Sequence, residues 1–326
     1  MQTGNKDLKT TTFIYFLLLI IILQPRNLPA EDTVLPVWLI RNWGDLASDL
    51  PVNFRTLEDD FHRQEVRIVF STRMGLLFLR ASGSGQPSEK NLIWIKNKFS
   101  KYKITVVDLR QESHGFLNGL PISWQMGRNQ INRGKTLPEI EQDEGSRLDE
   151  LSRKMTAGVF NCDESGKGID PEILKVNDAV TEKQLCADLE LYYLRLPVAD
   201  YQRPGDNEVD QFIELVRSMD DNSWLHIHCA AGMGRTTTFL AMFDMMYNAK
   251  YVSLEDIVKR QWLLGGIDLL SLPPADAWDY AYTEERANFI RHFYQYCQNN
   301  NDDFKQPWSA WLAEIERSAA ADLKQG

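Results

Sequence analysis

The stretch Ser223-Trp-Leu-His-Ile-His-Cys-Ala-Ala-Gly-Met-Gly-Arg-Thr-Thr-Thr-Phe-Leu240 constrains this chain more than any other. The apolar-rich run Trp224–Ile227 predicts a short buried strand. Gly232 and Gly234 then predict a loop, and Phe239, Leu240, Met242, Phe243 and Met246 fall on a helical period. Strand, glycine loop and helix in that order aim backbone N–H groups and a helix N-terminus at one point, where an anion is stabilised.

Two residues separate this loop from an ordinary phosphate cradle. Cys229 opens it and Arg235 stands six positions later, with Ala230, Ala231, Gly232, Met233 and Gly234 between them. A cation and a helix N-terminus both favour a thiolate, the nucleophilic form of cysteine. Arg235 offers a planar fork for two phosphoryl oxygens. Thr236 places a hydroxyl where it can help the sulfur leave, and His228 is expected to brace the loop carbonyls. A buried cysteine at a strand end and an arginine capping a helix are the bland alternative. The glycines inside the spacing, His228 before it and Thr236 after it favour the catalytic reading.

The first thirty residues carry Lys6 and Lys9, eleven apolar residues from Phe13 to Leu23, and a break at Pro25 to Ala30. That order predicts a secretory signal peptide over 1–30. The apolar run is too short to span a bilayer, which takes about twenty residues. An uncleaved amino-terminal tether is the alternative. The expected location is secreted or periplasmic, with delivery into a host cell as a second route. Residues 31–326 then form one catalytic domain, with a polar insertion or subdomain around 127–185.

With 36 basic and 46 acidic residues the net charge is −10, which argues against a nucleic-acid partner. A polyanionic substrate would need its cations gathered in one cleft. The four cysteines, Cys162, Cys186, Cys229 and Cys297, are sparse, and all four are expected to be free; Cys162–Cys186 would close the shortest loop.

Val66–Phe70 and Leu76–Arg80 read as strands, the residues from Ala81 to Ser88 as a loop, and Glu89–Phe99 as a helix. Tyr102–Asp108 is β-branched-rich and predicts a core strand. It runs into a polar cluster: Asp108 and Arg110 alternate on one face, Glu112 and His114 follow, and Gly115 closes a turn. This cluster is either a hydrogen-bonded brace or an active-site wall. Pro138–Met155 predicts a charged helix on Leu148, Leu151 and Met155, and Asn161–Asp170 a loop carrying Lys167.

Tyr192–Val198 reads as a strand ending at Asp200, 29 residues before Cys229. A carboxylic acid on a loop opposite the nucleophile can protonate a leaving alcohol and then activate water. Its bland role, a helix N-cap, suits Asp206 or Asn207 better. Val209–Met219 follows as an amphipathic helix. Gln261, near the end of the helix Leu254–Leu264, faces the Gly265-Gly266 loop, where an amide could orient water. The last helices rest on Phe289, Phe293 and Cys297, and on Trp308, Trp311, Leu312 and Ile315. A metal site on His226, His228 and Cys229 is disfavoured, because strand alternation leaves the histidines without a carboxylate at ligand spacing. No metal and no cofactor is expected.

VVDLRQESHGFLNGLPISW (106–124), LPVADYQRP (196–204), WLHIHCAAGMGRTTTF (224–239), VKRQWLLGG (258–266) and QPWSAWL (306–312) together resemble the bacterial protein-tyrosine-phosphatase-like inositol phosphatases, or cysteine phytases. LPVNFR (50–55) and LRASGSG (79–85) resemble that family's amino-terminal part. The resemblance implies an α/β fold: a tyrosine-phosphatase-like core, a central sheet flanked by helices, with a small added β-rich subdomain. It implies metal-free hydrolysis of inositol hexakisphosphate, with Cys229 as nucleophile, Arg235 as phosphate clamp and Asp200 as general acid. It further implies Arg55 as a phosphate contact and Asp108 and His114 in the active-site wall, while Gln261 as water-orienter rests on tyrosine phosphatases generally. Where relatives carry a His/Lys pair before the general-acid strand, this chain has only Lys167, which is read as a substrate contact. Relatives carry lysines after the double glycine, where this chain has Leu269 to Asp276 with no basic residue. A phosphotyrosyl protein or a host phosphoinositide is the alternative substrate, through the same chemistry.

Overall fold

The computed structural model describes residues 37–40, 48–61, 71–125, 131–162 and 168–322. The expected signal peptide, the expected strand Val66–Phe70 and Lys167 lie outside the described residues.

In chain order come β1 (Val37–Ile40), β2 (Arg55–Thr56), β3 (Ala81–Ser84), α1 (Glu89–Lys98), β4 (Lys103–Arg110), β5 (His114–Leu117), β6 (Leu120–Gln125) and α2 (Leu137–Ser152). Then follow β7 (Thr156–Cys162), β8 (Gly168–Lys175), β9 (Ala179–Val180), α3 (Glu182–Asp188), β10 (Tyr192–Val198), α4 (Asp206–Ser218) and β11 (Ser223–His228). The chain closes with α5 (Gly234–Asn248), α6 (Leu254–Leu263), α7 (Tyr280–Asn299) and α8 (Trp308–Asp322).

The central sheet has the order β10-β4-β11-β3-β2, parallel except for the short edge strand β2. Both of its faces are covered, so its strands alternate between two cores rather than between core and water. Val107, Leu109, Leu225 and Ile227 pack with Phe239, Leu240 and Phe243 of α5. Ile104, Val106 and Trp224 pack the other way, on Leu92, Ile95 and Phe99 of the α1 region. The register pairs His228 with Asp108 on one side and with Ser84 on the other. Three strands thus end level, and the loop after β11 opens at their carboxyl ends, where parallel sheets bind ligands.

The second sheet, β8-β7-β1-β6-β5-β9, supplies the β-rich part of the expected α/β fold. It draws strands from 37–40 and 114–125 as well as 156–180, so it reaches well beyond the 127–185 stretch. Its hairpin turns at Asn118 and Gly119, with φ of 53° and 76°, the two left-handed positions of a two-residue hairpin.

Three local expectations are corrected. Leu76–Phe78 is one turn of 3-10 helix rather than a strand, and the strand is Ala81–Ser84, expected as a loop. Small residues are what this strand requires: a Cβ on Gly83 would stand 2.7 Å from Thr236 Cγ2 and 2.8 Å from Leu240 Cδ1 of α5. Gly115 lies inside β5 rather than in a turn, because Leu148 and the Val180 carbonyl occupy the space a side chain would take. Met155 lies beyond the end of α2 and is exposed. Cys186, Cys229 and Cys297 are buried free thiols.

Candidate active site

Every loop carbonyl from Ala230 to Gly232 is held from outside. The Gln86 N–H donates to Ala230 O at 3.1 Å, Asn53 Nδ2 to Ala231 O at 2.8 Å, and Arg55 Nη1 to Gly232 O at 2.8 Å. In a planar trans peptide the N–H points opposite to the carbonyl. The amides of Ala231, Gly232 and Met233 are therefore turned into the concave side, toward the space in front of Cys229. Gly232 makes the turn at φ 75°, pressed so close to β3 that a Cβ would stand 2.3 Å from Gly85 N. Thr237 ties the start of α5 to this frame: its hydroxyl donates to Met233 O at 2.6 Å and accepts from Arg55 Nη2 at 3.0 Å.

Arg235 reaches back under the loop. Its Nη1 and Nη2 donate to the two Glu112 oxygens at 2.8 and 3.0 Å, and Nη1 also donates to Val198 O at 3.0 Å. Asp200 Oδ1 lies 3.1 Å from Nη2. The end-on edge of the guanidinium is thus taken, while Nε is buried with no hydrogen-bond partner among the described residues. The side-on edge, Nε with Nη2, has the geometry of a fork for an oxyanion, and its Nη2 end is paired with the Asp200 carboxylate. Burial alone would raise the Glu112 pKa, but Arg235 and Arg110 outweigh it and hold it well below the ordinary carboxylate value. Arg110 spans from Glu112 to Ser123 Oγ at 2.8 Å and to Gln86 Oε1, joining the two sheets beneath the site.

Several expected site residues take other positions. Asp108 and His114 are fully buried. His114 Nε2 sits 3.1 Å from both Asp108 Oδ2 and Glu182 Oε2, and Nδ1 is 2.8 Å from the Glu112 carbonyl. Arg55 is beneath the loop as a carbonyl clamp rather than facing substrate. Gln261 is fully buried, with Nε2 on Asp244 at 3.2 Å, so its amide is not placed to orient a water in the cleft. The Thr236 hydroxyl points to Ser84 O at 3.3 Å, behind the loop. His228 is buried with Nε2 2.9 Å from Glu182 Oε1, rather than on the loop carbonyls. The Asp108–His114–Glu182 trio has ligand-type atoms within 4.8 Å of one another. His114 already faces both carboxylates and Arg195 lies 3.3 Å from Asp108, so the trio is internally charge-compensated.

The sequence reading missed Asn53 and Gln86, which hold the loop carbonyls, and Glu182, which lies against His228. Nothing local marks them, because each acts across a long sequence separation. It also missed Arg286 on α7, a buried cation beside the loop. Arg286 is 8% exposed, its Nη1 would stand 3.2 Å from a Cβ on Gly234, and its Nε has no hydrogen-bond partner among the described residues. At the mouth, Tyr201 takes φ 67° and its ring meets Trp278 edge-on at 4.8 Å.

Two histidines make stability depend on pH in opposite directions. Burial lowers the pKa of His114, but the Asp108 and Glu144 carboxylates outweigh burial and raise it to about 9. Its contribution is fully present below about 6.5 and is lost as pH rises through about 9. Burial, then the charge of His228, lowers His226 to about 3. The folded state keeps His226 neutral while the unfolded chain protonates it, so stability falls as pH drops below about 6.5. Each effect should reach on the order of 1–3 kcal/mol at its far end. Thermal melts from pH 4 to 10 should therefore peak near neutrality; a melting temperature still rising at pH 9 would contradict this account of His114.

A family model described as PTP-like phytase, inositol hexakisphosphate, matches residues 107–247. The PTP-like myo-inositol phosphatase from Mitsuokella multacida, solved with myo-inositol-(1,3,4,5)-tetrakisphosphate, is 36% identical, with TM-score 0.77 over 93% of this chain and 52% of that one. A PTP-like phytase from Bdellovibrio bacteriovorus is 32% identical, with TM-score 0.68 over 89% of this chain and 98% of that one. Effector protein hopD2 of Pseudomonas syringae pv. tomato is 30% identical over 217 residues, 65% of this chain and 46% of the effector. The chain thus spans about half the length of the Mitsuokella protein and of the effector. With the loop, the two sheets and a relative matched along nearly its whole length, this chain belongs to the protein-tyrosine-phosphatase-like phytase family.

Proposed function

We propose that the protein is a cysteine-dependent phosphatase that hydrolyses inositol polyphosphates. The observation that carries this reading is the arrangement of Cys229, the outward-tied loop carbonyls, the unpartnered Nε of Arg235 and the Asp200 carboxylate beside its Nη2. A phosphoryl group seated there would be held by the loop amides and by Arg235 Nε and Nη2. Cys229 Sγ then forms a bond to phosphorus as the P–O bond to the leaving alcohol breaks, and Asp200 gives that oxygen its proton. In the second step Asp200 takes a proton from water, which attacks phosphorus and releases the thiolate. Arg286, beside Gly234, would meet a further phosphate.

The inositol phosphate assignment is supported by the matched family model and by the ligand named in the Mitsuokella complex. An aryl or host phosphate is the second reading, favoured by the Tyr201–Trp278 pair at the mouth and by the effector relative. The expected location remains secreted, periplasmic or host-delivered; none of the described helices is long and apolar enough to cross a membrane.

The test is phosphate release from inositol hexakisphosphate, a phosphotyrosyl peptide and a phosphoinositide, each with EDTA. A kcat/KM at least tenfold higher on the inositol phosphate is expected, which is about 1.4 kcal/mol of transition-state discrimination. Preference for either rival would move the substrate and keep the chemistry; no release from any would overturn the reading.

A further inference from the structure

One buried carboxylate outside the central sheet lies against two histidines behind the anion site. Glu182 is the first residue of α3, held there by its neighbour Thr181, whose hydroxyl accepts from the Gln184 N–H at 3.1 Å. It is 1% exposed. Its Oε1 lies 2.9 Å from His228 Nε2, at ion-pair distance though out of line for a straight hydrogen bond, and its Oε2 lies 3.1 Å from His114 Nε2. His228 is the last residue of β11 and immediately precedes Cys229. His114 Nδ1 reaches the Glu112 carbonyl, and the Glu112 carboxylate holds Arg235. From this geometry we infer that Glu182 is a positioning residue: it acts through His228 on Cys229 and through His114 on the Glu112–Arg235 clamp. The inference rests on the phosphatase reading above for its functional meaning.

Strand alternation explains how a group on the far face can act on the sulfur. Trp224, His226 and His228 share one face of β11, and the His226 and His228 rings stack at 6.2 Å. Cys229, next along the chain, packs with the opposite core. Fixing the His228 ring fixes the peptide that carries Cys229 into the loop. A carboxylate suits both partners because it only accepts. His114 faces two carboxylates at Nε2, and at Nδ1 the Glu112 carbonyl at 2.8 Å is nearer than the Arg195 guanidinium at 3.3 Å, which favours a donor at both nitrogens. An amide at position 182 would keep the shape, lose the charge, and turn an NH2 toward one of the two imidazoles. The other ionisable groups around this carboxylate are Asp108 on β4, Glu144 on α2, Cys186 on α3, Tyr193 and Arg195 on β10, and His226 on β11.

The experiment compares Glu182→Gln with Glu144→Gln. Glu144 belongs to the same network, bonding Arg195 and the His114 N–H, but His228 is not among its partners. Alkylation of Cys229 by iodoacetate needs no substrate and is read first; the pH profile of kcat/KM is read second. Glu182→Gln is expected to slow alkylation about tenfold and lower kcat by a similar factor, with KM within about threefold. The acidic limb of the profile, where the nucleophile must lose its proton, should move by about one pH unit. Glu144→Gln should lower the melting temperature yet leave the alkylation rate and the limb where they are. Parental alkylation and an unmoved limb in Glu182→Gln, or equal changes in both variants, would overturn the inference. If Glu182→Gln does not fold, Glu182→Asp, which keeps the charge on a shorter arm, should alkylate at an intermediate rate; a parental rate there overturns it as well. Slowed alkylation in a protein whose parent releases no phosphate would uphold the positioning role and reject the phosphatase reading.

Discussion

Replacing Cys229 with serine should lower phosphate release by about 10⁴ or more while leaving the fold and the anion site in place. The loop's shape is set by carbonyl bonds to Gln86, Asn53 and Arg55, none of which uses the sulfur. Cys229 is buried at 3% exposure, and a hydroxyl of nearly the same size fits the same space. What disappears is the nucleophile: a serine here has no adjacent base to activate it, since His228 packs away toward Glu182. Phosphate binding should be unchanged or tighter, because the oxyanion no longer meets a negative sulfur. Single-turnover release, paired with calorimetric binding of inorganic phosphate, separates the two quantities. A Cys229→Ser protein that releases phosphate within tenfold of the parent would reject covalent catalysis at this residue.

Glu112→Ala should destabilise the protein by about 3–5 kcal/mol, because it removes the buried carboxylate that two guanidiniums share. Arg235 keeps Val198 O and Asp200 and Arg110 keeps Ser123 and Gln86, but both lose the carboxylate that offsets their burial. Against a total stability of about 5–15 kcal/mol this is a large fraction. Activity should fall beyond what unfolding explains, because an unanchored Arg235 no longer presents its side-on edge; a displacement of about 1 Å can cost 10²-fold in rate. Chemical denaturation gives the first number and kcat/KM on the folded fraction gives the second. A loss of less than about 1 kcal/mol would mean that the surroundings relax around the two cations.

Contiguous pattern was legible in the sequence. The run 223–240 announced strand, loop and helix because each carries its own period and its own breakers, and all three form as expected. The helices from Glu89 and Leu254 were visible for the same reason, and the one expected over Val209–Met219 begins three residues earlier, at Asp206. Strand β3 was hidden because Ala81-Ser-Gly-Ser84 has the composition of a loop, and only the closeness of α5 explains why small residues form a strand there. The hairpin at Asn118-Gly119 carried a readable signal that Gly115 obscured. Site roles split along the same line. The spacing of Cys229 and Arg235 is local. Which polar residues face substrate and which hold the loop from behind depends on where distant strands come to rest, and Arg55, Asp108, His114 and Gln261 all come to rest buried.

The outward ties on the loop carbonyls also set an order of assembly. Asn53 and Arg55 stand 178 and 177 positions from the carbonyls they hold. Contacts that close such long segments form late, since chain entropy opposes them until other structure brings the ends near. The segment around β11 and α5 can fold as strand and helix, yet its amides need not converge until residues 52–86 have docked beneath them. Synthesis delivers those residues first and the loop they hold much later. Affinity for phosphate is then among the last properties the chain acquires, and it reports completed folding rather than the presence of Cys229 and Arg235.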